Sequence, residues 1–193
     1  MIIGIDLDNT IVDCEAMFLT LSEDLLGRSL SGCSRDEARV QVRKECGDIF
    51  WTKIQAIVYG TRYLECPPYD GAISAINLIS NSSHITQVKI ISHKTRMDSA
   101  EGIYNLRTIA LQWIKLNLPE ESINSVHFKD SIIAKQNCIV NEHCDVFLDD
   151  LPEILIPLLD HIPTPILFRK HRNPHPRLRV CDWQQFADLV CRE

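Results

Sequence analysis

The 193-residue sequence predicts an α/β fold, a three-layer sandwich in which a parallel β-sheet lies between layers of helices. Three observations predict it. Short apolar segments of strand length recur along the chain, amphipathic helical segments separate them, and small polar or acidic residues follow several of the strands. Strands that alternate with helices form crossover units that make the strands parallel. We therefore expect the polar residues after the strands to meet at one edge of the sheet.

The first predicted strand is Ile2–Ile5, and a long helical segment over about residues 14–66 follows it. The helical prediction rests on three patterns. Met17, Leu21 and Leu25 recur at every fourth position before Gly27, Ser34–Glu37 is a capping box, and Phe50, Ile54 and Ile57 form an apolar stripe. Because Pro67 and Pro68 end this segment, we predict a small helical domain over residues 13–68, inserted into a core formed by residues 1–12 and 69–193.

The rest of the chain alternates between the two kinds of element. A helix capped by Asp70 carries Ala72, Ile76 and Ile79 on its inner face. The other predicted strands are Val88–Ile91, Val126–Phe128, Val146–Leu148 and Ile166–Phe168. Four further helices are predicted: one that contains Ile103, Leu106, Ala110 and Trp113, one over about residues 131–142, one that begins at Pro152, and one over Trp183–Val190. This alternation is typical of parallel α/β proteins.

Composition limits the possible partners. The chain has 20 basic and 26 acidic side chains, a formal net charge of −6, which disfavours binding to nucleic acid or to an anionic membrane. No apolar run is long enough to span a bilayer, and Asp6 interrupts the apolar N-terminus too early for a secretory signal. None of the eight cysteines forms a CxxC pair, so we expect reduced thiols in a cytoplasmic protein. Composition leaves the oligomeric state open.

Polar residues follow three of the predicted strands. Asp6, Asp8 and Thr10 follow the first, Ser92 follows the second, and the pair Asp149-Asp150 follows a later one. Carboxylates brought together at one edge repel one another and therefore need a cation. Oxygen ligands select a hard ion, and Mg²⁺ held by few carboxylates keeps coordination positions for water and a phosphate oxygen. The sequence thus predicts Mg²⁺-dependent chemistry on a phosphate group.

These motifs resemble those of the haloacid dehalogenase-like (HAD) superfamily. Asp6-Leu7-Asp8-Asn9-Thr10 resembles its DxDxT motif, Ser92 its second motif, Lys135 the lysine of its third, and Asp149-Asp150 its fourth. The acidic pair is also similar to that of the superfamily's 5′-nucleotidases. The resemblance covers residues 1–12 and 69–193. It implies a Rossmannoid core with a small helical cap inserted after the first strand.

The resemblance also implies a role for each matching residue. Asp6 would be the nucleophile that forms an aspartyl-phosphate, and Asp8 would be the general acid and base. Asp6, Asp8 through its backbone carbonyl, Asp149 and Asp150 would bind Mg²⁺, while Ser92, Lys135 and Thr10 would form the phosphate site, Thr10 by bracing the loop. The implied function is Mg²⁺-dependent hydrolysis of a small phosphomonoester, such as a nucleotide or a sugar phosphate.

Several alternatives remain open at this stage. Lys129 directly follows a predicted strand and competes with Lys135 for the phosphate-binding role, and one member of the acidic pair could cap the helix at Pro152. The basic stretch at residues 169–179 fits either a solvated loop or an anion-binding surface. A phosphomutase and a catalytically idle binding or regulatory domain would share the fold. A dehalogenase is disfavoured, because those relatives do not carry the second aspartate, Asp8.

Overall fold

The computed structural model describes residues 1–100, 102–168 and 175–192. Their strands are β1 (Ile2–Ile5), β2 (Gln87–His93), β3 (Ser125–Lys129), β4 (Val146–Asp149), β5 (Thr164–Phe168) and β6 (Arg179–Cys181). These strands form one sheet in the order β3-β2-β1-β4-β5-β6, and every pairing is parallel. The predicted α/β fold with a parallel sheet is therefore confirmed.

The described helices are α1 (Glu15–Leu26), α2 (Arg35–Glu45), α3 (Asp48–Tyr59), α4 (Ala72–Ser80), α5 (Leu106–Asn117), α6 (Ile132–Asn141), α7 (Pro152–Leu155) and α8 (Trp183–Cys191). The capping box predicted at the start of α2 is present, with Ser34 and Glu37 each accepting the other's backbone N–H. The cap predicted for α4 is wrong. Gly71, with φ 79°, begins α4 without any side-chain cap, so Asp70 lies one residue too early.

The chain divides into two compact units. The sheet unit comprises residues 1–12, 68–94 and 117–193, and the helical unit comprises residues 13–67 and 95–116. The helical unit therefore contains α1–α3 and also most of α5, which the sequence placed in the core. That residues 13–68 act as a cap over a catalytic site stays a prediction.

Helices cover both faces of the sheet. On one face, Leu167 of β5 packs in a buried cluster with Ile139 of α6 and Ile154 of α7. The next residue, Phe168, points to the other face, where its ring contacts Trp183 of α8 at 5.9 Å between centroids. The sheet is tight at its centre, since a Cβ at Gly4 would lie 2.5 Å from the ring of Phe147. Only glycine fits there.

The apolar stripe predicted for α1 is wrong, and the one predicted for α3 is right only at Ile54, which is buried. The buried residues of α1 include Phe18, whereas Leu25 of the predicted stripe is 36% exposed. In α3, Trp51 is buried and Phe50 is 39% exposed. The reason is aromatic packing, because Phe18 and Trp51 stack at 5.2 Å between ring centroids and so fix which face of each helix is buried.

Strand β6 is an element that the sequence analysis missed. It has three residues, which is too short for a recognisable pattern, and it pairs with β5 at the edge of the sheet. The basic stretch predicted at residues 169–179 lies largely outside the described residues, which resume at His175. Across the described ranges, no helix has the length and apolar character needed to cross a bilayer.

Candidate active site

The loop after β1 is held by its own backbone. Asp6 still belongs to the sheet ladder, since its N–H donates to the Leu148 carbonyl at 2.9 Å. The Leu7 carbonyl then accepts the N–H groups of Ile11 and Val12 at 3.0 and 2.9 Å, which closes a tight turn. Asn9 lies at φ 62°, a left-handed conformation that asparagine tolerates better than most residues. Asp6 therefore lies at the start of a loop whose backbone is fixed, and Asp8 lies within its turn.

Three carboxylates converge at the ends of β1 and β4. Asp6, Asp149 and Asp150 each offer an oxygen atom, and these atoms all lie within 4.8 Å of one another. The three side chains belong to residues that are at most 5% exposed. We call these three residues, together with Lys135, the acidic cluster. The convergence follows from parallel pairing, because β1 and β4 are neighbours and end at the same edge of the sheet.

Lys135 is the cation of the acidic cluster. Its Nζ lies 2.6 Å from Asp6 Oδ1 and 2.6 Å from Asp149 Oδ2, and its side chain is 1% exposed. Helix α6 delivers it from the first turn, which begins at Ser131, whose hydroxyl accepts the Ala134 N–H. The competing candidate, Lys129, lies instead where its charge acts on Cys138 and Glu142. Of the two lysines, Lys135 is the one that the structure brings to the aspartates.

Burial and mutual charge shift the titration of this cluster. Burial raises the pKa of the Asp149 carboxyl to about 7, with the charge of Asp6 adding to the shift and Lys135 opposing it. Burial alone would lower the pKa of Lys135, but the charges of Asp149 and Asp6 outweigh it and raise the pKa above its usual value. Lys135 therefore stays charged, while burial makes the Asp149 carboxyl harder to ionise than an exposed aspartate.

The acidic pair does not cap α7. Leu151 is the residue that precedes the helix, and no side chain caps it. Asp149 does accept the Leu151 N–H through Oδ1 at 2.9 Å, so one of its oxygens holds the local turn and the other faces Lys135. Asp149 therefore holds the turn before α7 with one carboxylate oxygen, as the capping alternative required in part, and its other oxygen remains at the acidic cluster.

The remaining predicted phosphate-site residues are buried nearby in the same unit. Ser92 is the penultimate residue of β2, is 1% exposed, and its Oγ has no hydrogen-bond partner among the described residues. The hydroxyl of Thr10, which is fully buried, donates to Asp6 Oδ2 over a long distance of 3.4 Å. The Thr10 carbonyl accepts the indole N–H of Trp183 at 3.0 Å. Trp183 therefore braces the loop, a contact that 173 residues of sequence separation conceal.

Asp8 has a different partner from Asp6. Its Oδ2 lies 2.8 Å from the Nζ of Lys94, whose side chain is 2% exposed. In the sequence, His93 and Lys94 directly follow Ser92. His93 is exposed and contacts the backbone oxygen of Asp130 through its ring at 3.3 Å. A second buried lysine beside the DxDxT loop is thus the main feature of the site that the sequence analysis missed.

The acidic cluster fits a divalent cation on its own chemistry. Three carboxylates and one ammonium group carry a formal charge of −2 when all are ionised, and they lie in a buried environment where such an excess is costly. All three candidate ligands are hard oxygen donors, which Mg²⁺ prefers. Asp8 adds no excess charge, since Lys94 pairs with it. The residues present therefore suit the predicted ion.

Comparison with known proteins supports the resemblance at the level of the fold. Neither a family model nor a curated relative matches the chain. Similar solved structures include a HAD family hydrolase from Deinococcus radiodurans R1 with bound phosphate and sodium, with TM-score 0.62, 14% identity and coverage of 97% of this chain and 94% of the other. A predicted phosphoglycolate phosphatase from Haemophilus somnus 129PT has a TM-score of 0.61 and 10% identity, with coverage of 98% of this chain and 97% of the other. A dehalogenase has a TM-score of 0.59 and 12% identity, with coverage of 100% of this chain and 97% of the other.

These structures confirm that the chain has the fold of the HAD-superfamily hydrolases. They include both a phosphatase and a dehalogenase, so the fold alone does not choose between the two chemistries. That choice depends on the side chains of the site.

Proposed function

We propose that the chain is a Mg²⁺-dependent phosphohydrolase that cleaves a small phosphomonoester through an aspartyl-phosphate on Asp6. The observation that carries the proposal is the acidic cluster, in which Asp6, Asp149 and Asp150 converge at the carboxyl end of the sheet and buried Lys135 pairs with Asp6 and Asp149. The presence of Asp8 favours phosphate over halide chemistry, because ester cleavage needs a proton donor for the leaving oxygen.

In the first step, an Asp6 carboxylate oxygen attacks the phosphorus atom. A new O–P bond forms while the bond from phosphorus to the substrate's ester oxygen breaks, and Asp8 gives its proton to that oxygen. The buried hydroxyl of Ser92 is available to donate a hydrogen bond to the phosphoryl group, since no described residue occupies it. Lys135 supplies positive charge beside Asp6.

In the second step, water attacks the phosphorus atom of the aspartyl-phosphate. Asp8, now a carboxylate, takes the proton from this water, the bond between phosphorus and the Asp6 oxygen breaks, and free phosphate and the Asp6 carboxylate result. Bound Mg²⁺, held by Asp6, Asp149, Asp150 and the Asp8 carbonyl, would neutralise charge on the phosphoryl oxygens. Formation and hydrolysis of the aspartyl-phosphate on Asp6 thus replace one difficult step, direct attack of water on the phosphate ester.

The test is phosphate release from a panel of nucleotides, sugar phosphates, phosphoglycolate and an aryl phosphate, with and without Mg²⁺. Phosphoglycolate belongs in the panel because a structure similar to this chain is described as a phosphatase for it. We expect Mg²⁺-dependent release that Asp6→Asn abolishes while its thermal unfolding stays cooperative. Phosphate transfer between substrate positions without release would indicate a mutase, and no turnover of any compound would support an idle binding domain.

A further inference from the structure

The ion pair between Lys94 and Asp8 stands apart from the acidic cluster. Lys94 Nζ lies 2.8 Å from Asp8 Oδ2, and the two side chains are 2% and 14% exposed. A lysine withdrawn from water loses hydration free energy, which only a well-placed counter-charge offsets. A surface pair between two flexible side chains would hold neither of them in place. This buried pair can fix the orientation of the Asp8 carboxyl group.

The backbone on each side of the pair is also fixed. The N–H of Lys94 donates to the Lys129 carbonyl at 2.9 Å, which ties the end of β2 to the end of β3. On the other side, the N–H of Asn9 donates to the Val12 carbonyl at 2.8 Å, which holds the turn that carries Asp8. Both side chains therefore start from anchored positions in the same compact unit, and the ion pair joins them across the ends of two neighbouring strands.

We infer that Lys94 is a positioning residue for Asp8, an inference that rests on the proposed function. Lys94 holds the Asp8 carboxyl group in one orientation, so that the proton reaches the leaving oxygen in the first step and leaves the attacking water in the second. Proton transfer needs the two heavy atoms within hydrogen-bond distance, and a carboxyl group free to rotate meets that requirement only part of the time.

The test compares wild type with Lys94→Met on phosphate esters whose leaving groups differ in acidity. An alkyl phosphate needs protonation of its leaving oxygen, whereas 2,4-dinitrophenyl phosphate does not. We expect Lys94→Met to lower kcat/KM, which reports the first step, roughly tenfold or more for the alkyl ester and about twofold or less for the dinitrophenyl ester, a part of the roughly 10²–10⁴-fold that general acid catalysis supplies. Lys94→Arg should restore much of the alkyl rate, because it keeps the charge.

A matched control exists on strand β2, which ends one residue before Lys94. Lys89 of this strand is also a buried lysine, and its Nζ pairs with Glu142 Oε2 at 2.7 Å. It lies five residues before Lys94, roughly 16 Å along the strand. Lys89→Met should lower the melting temperature without changing the relative rates for the two leaving groups. In an Asp8→Asn background, Lys94→Met should add little further loss, since the residue that it positions is already gone.

Four results would overturn the inference. A rise in KM with equal losses for both leaving groups would make Lys94 a phosphate-binding residue. Equal changes in the relative rates of Lys94→Met and Lys89→Met would make the role of Lys94 structural. If Lys94→Met does not fold, Lys94→Gln takes its place in this comparison. If wild type releases phosphate and Lys94→Met shows the same dependence of rate on the leaving group as wild type, this inference alone is removed. Wild type without any phosphate release would remove the proposed function as well.

Discussion

Among its described residues, the sheet unit contains two groups of side chains that could in principle ligate a metal ion. One is the acidic cluster, with Asp6, Asp149 and Asp150. The other, which we call the mixed cluster, consists of His127 on β3 with Cys138 and Glu142 around α6. In both groups one potential ligand atom per residue lies within 4.8 Å of the others. Distance alone does not distinguish them.

Charge does distinguish the two clusters. In the acidic cluster, Lys135 pairs with the carboxylates of Asp6 and Asp149, and an oxygen of Asp150 lies within 4.8 Å of theirs. In the mixed cluster, Lys89 Nζ lies 2.7 Å from Glu142 Oε2, and the charge of Lys129 also lowers the pKa of that carboxyl. Burial raises the pKa of the Cys138 thiol, so it resists forming the thiolate that binds metals. Two lysines thus already compensate the single carboxylate, and a cation would have to displace them.

The comparison teaches that the balance of charge, rather than the number of ligand atoms, identifies a cation site. The acidic cluster keeps a formal excess of two negative charges, which matches Mg²⁺. The mixed cluster has no such excess. The predictions below test this difference, beginning with the largest expected effect.

Removing the lysine should damage the acidic cluster far more than the mixed cluster. Lys135→Met leaves the buried carboxylates of Asp6 and Asp149 without their shared cation, and we expect it to lower the free energy of unfolding by roughly 3–5 kcal/mol. Lys89→Met breaks a pair whose carboxylate is 30% exposed and should cost about 1 kcal/mol. Urea unfolding of both variants in chelator measures the two losses.

Mg²⁺ should then restore part of the stability of Lys135→Met, because the ion supplies the missing positive charge. The same addition should leave Lys89→Met with no more stabilisation than wild type. Equal losses in the two variants, or a Lys135→Met protein that Mg²⁺ does not stabilise, would contradict the charge argument.

Removing one carboxylate from each cluster should separate them by Mg²⁺ affinity. Asp150→Asn removes a proposed ligand and should weaken Mg²⁺ binding about tenfold or more, which corresponds to about 1.4 kcal/mol of lost stabilisation. Glu142→Gln should leave the affinity unchanged. Calorimetric titration with Mg²⁺ gives both values. If Glu142→Gln lost affinity and Asp150→Asn kept it, the assignment of the two clusters would be reversed.

The stabilisation by Mg²⁺ should depend on pH through Asp149. Its pKa is raised from 3.8 to about 7 in the folded protein, so between these values the folded state binds a proton that the unfolded state has released. Its contribution to stability is therefore present at low pH and is lost as pH rises towards 7. Mg²⁺ must displace this proton, so its apparent affinity should rise by at most about tenfold per pH unit up to pH 7.

Thermal unfolding at about pH 6 and about pH 8, with and without Mg²⁺, measures this effect. The shift in melting temperature caused by Mg²⁺ should be larger at the higher pH in wild type, and Asp149→Asn should lose the difference. A larger shift at the lower pH would contradict the raised pKa as the cause.

Much of the fold was predictable because its signals are local. Strand β1 is a continuous apolar run, and the capping box at Ser34 is four residues long, so both can be identified without knowledge of distant residues. The edge strand β6 has three residues and no such pattern. The stripe of α3 could not be chosen from periodicity alone, because stacking between Trp51 and Phe18 of another helix decides which side is buried.

The site likewise has features that local sequence predicts and features that depend on distant residues. The carboxylates could be placed together because each one follows a strand, and parallel strands end at a common edge. The partners of those carboxylates could not, since Lys94 pairs with Asp8 across 86 positions and Lys135 with Asp6 across 129. The motif resemblance already favoured Lys135 over Lys129, and the structure brings Lys135 within 2.6 Å of Asp6.

The central claim is that Asp6 of the acidic cluster forms a phosphoryl intermediate, and chemical trapping tests it most directly. The protein is mixed with the best substrate of the panel and Mg²⁺, quenched within one turnover, and treated with borohydride, which reduces an acyl phosphate to an alcohol. Peptide mapping should find homoserine at position 6, with none when Mg²⁺ is chelated and none in Asp6→Asn. Continued phosphate release with an unmodified Asp6, or modification at another carboxylate, would contradict the account.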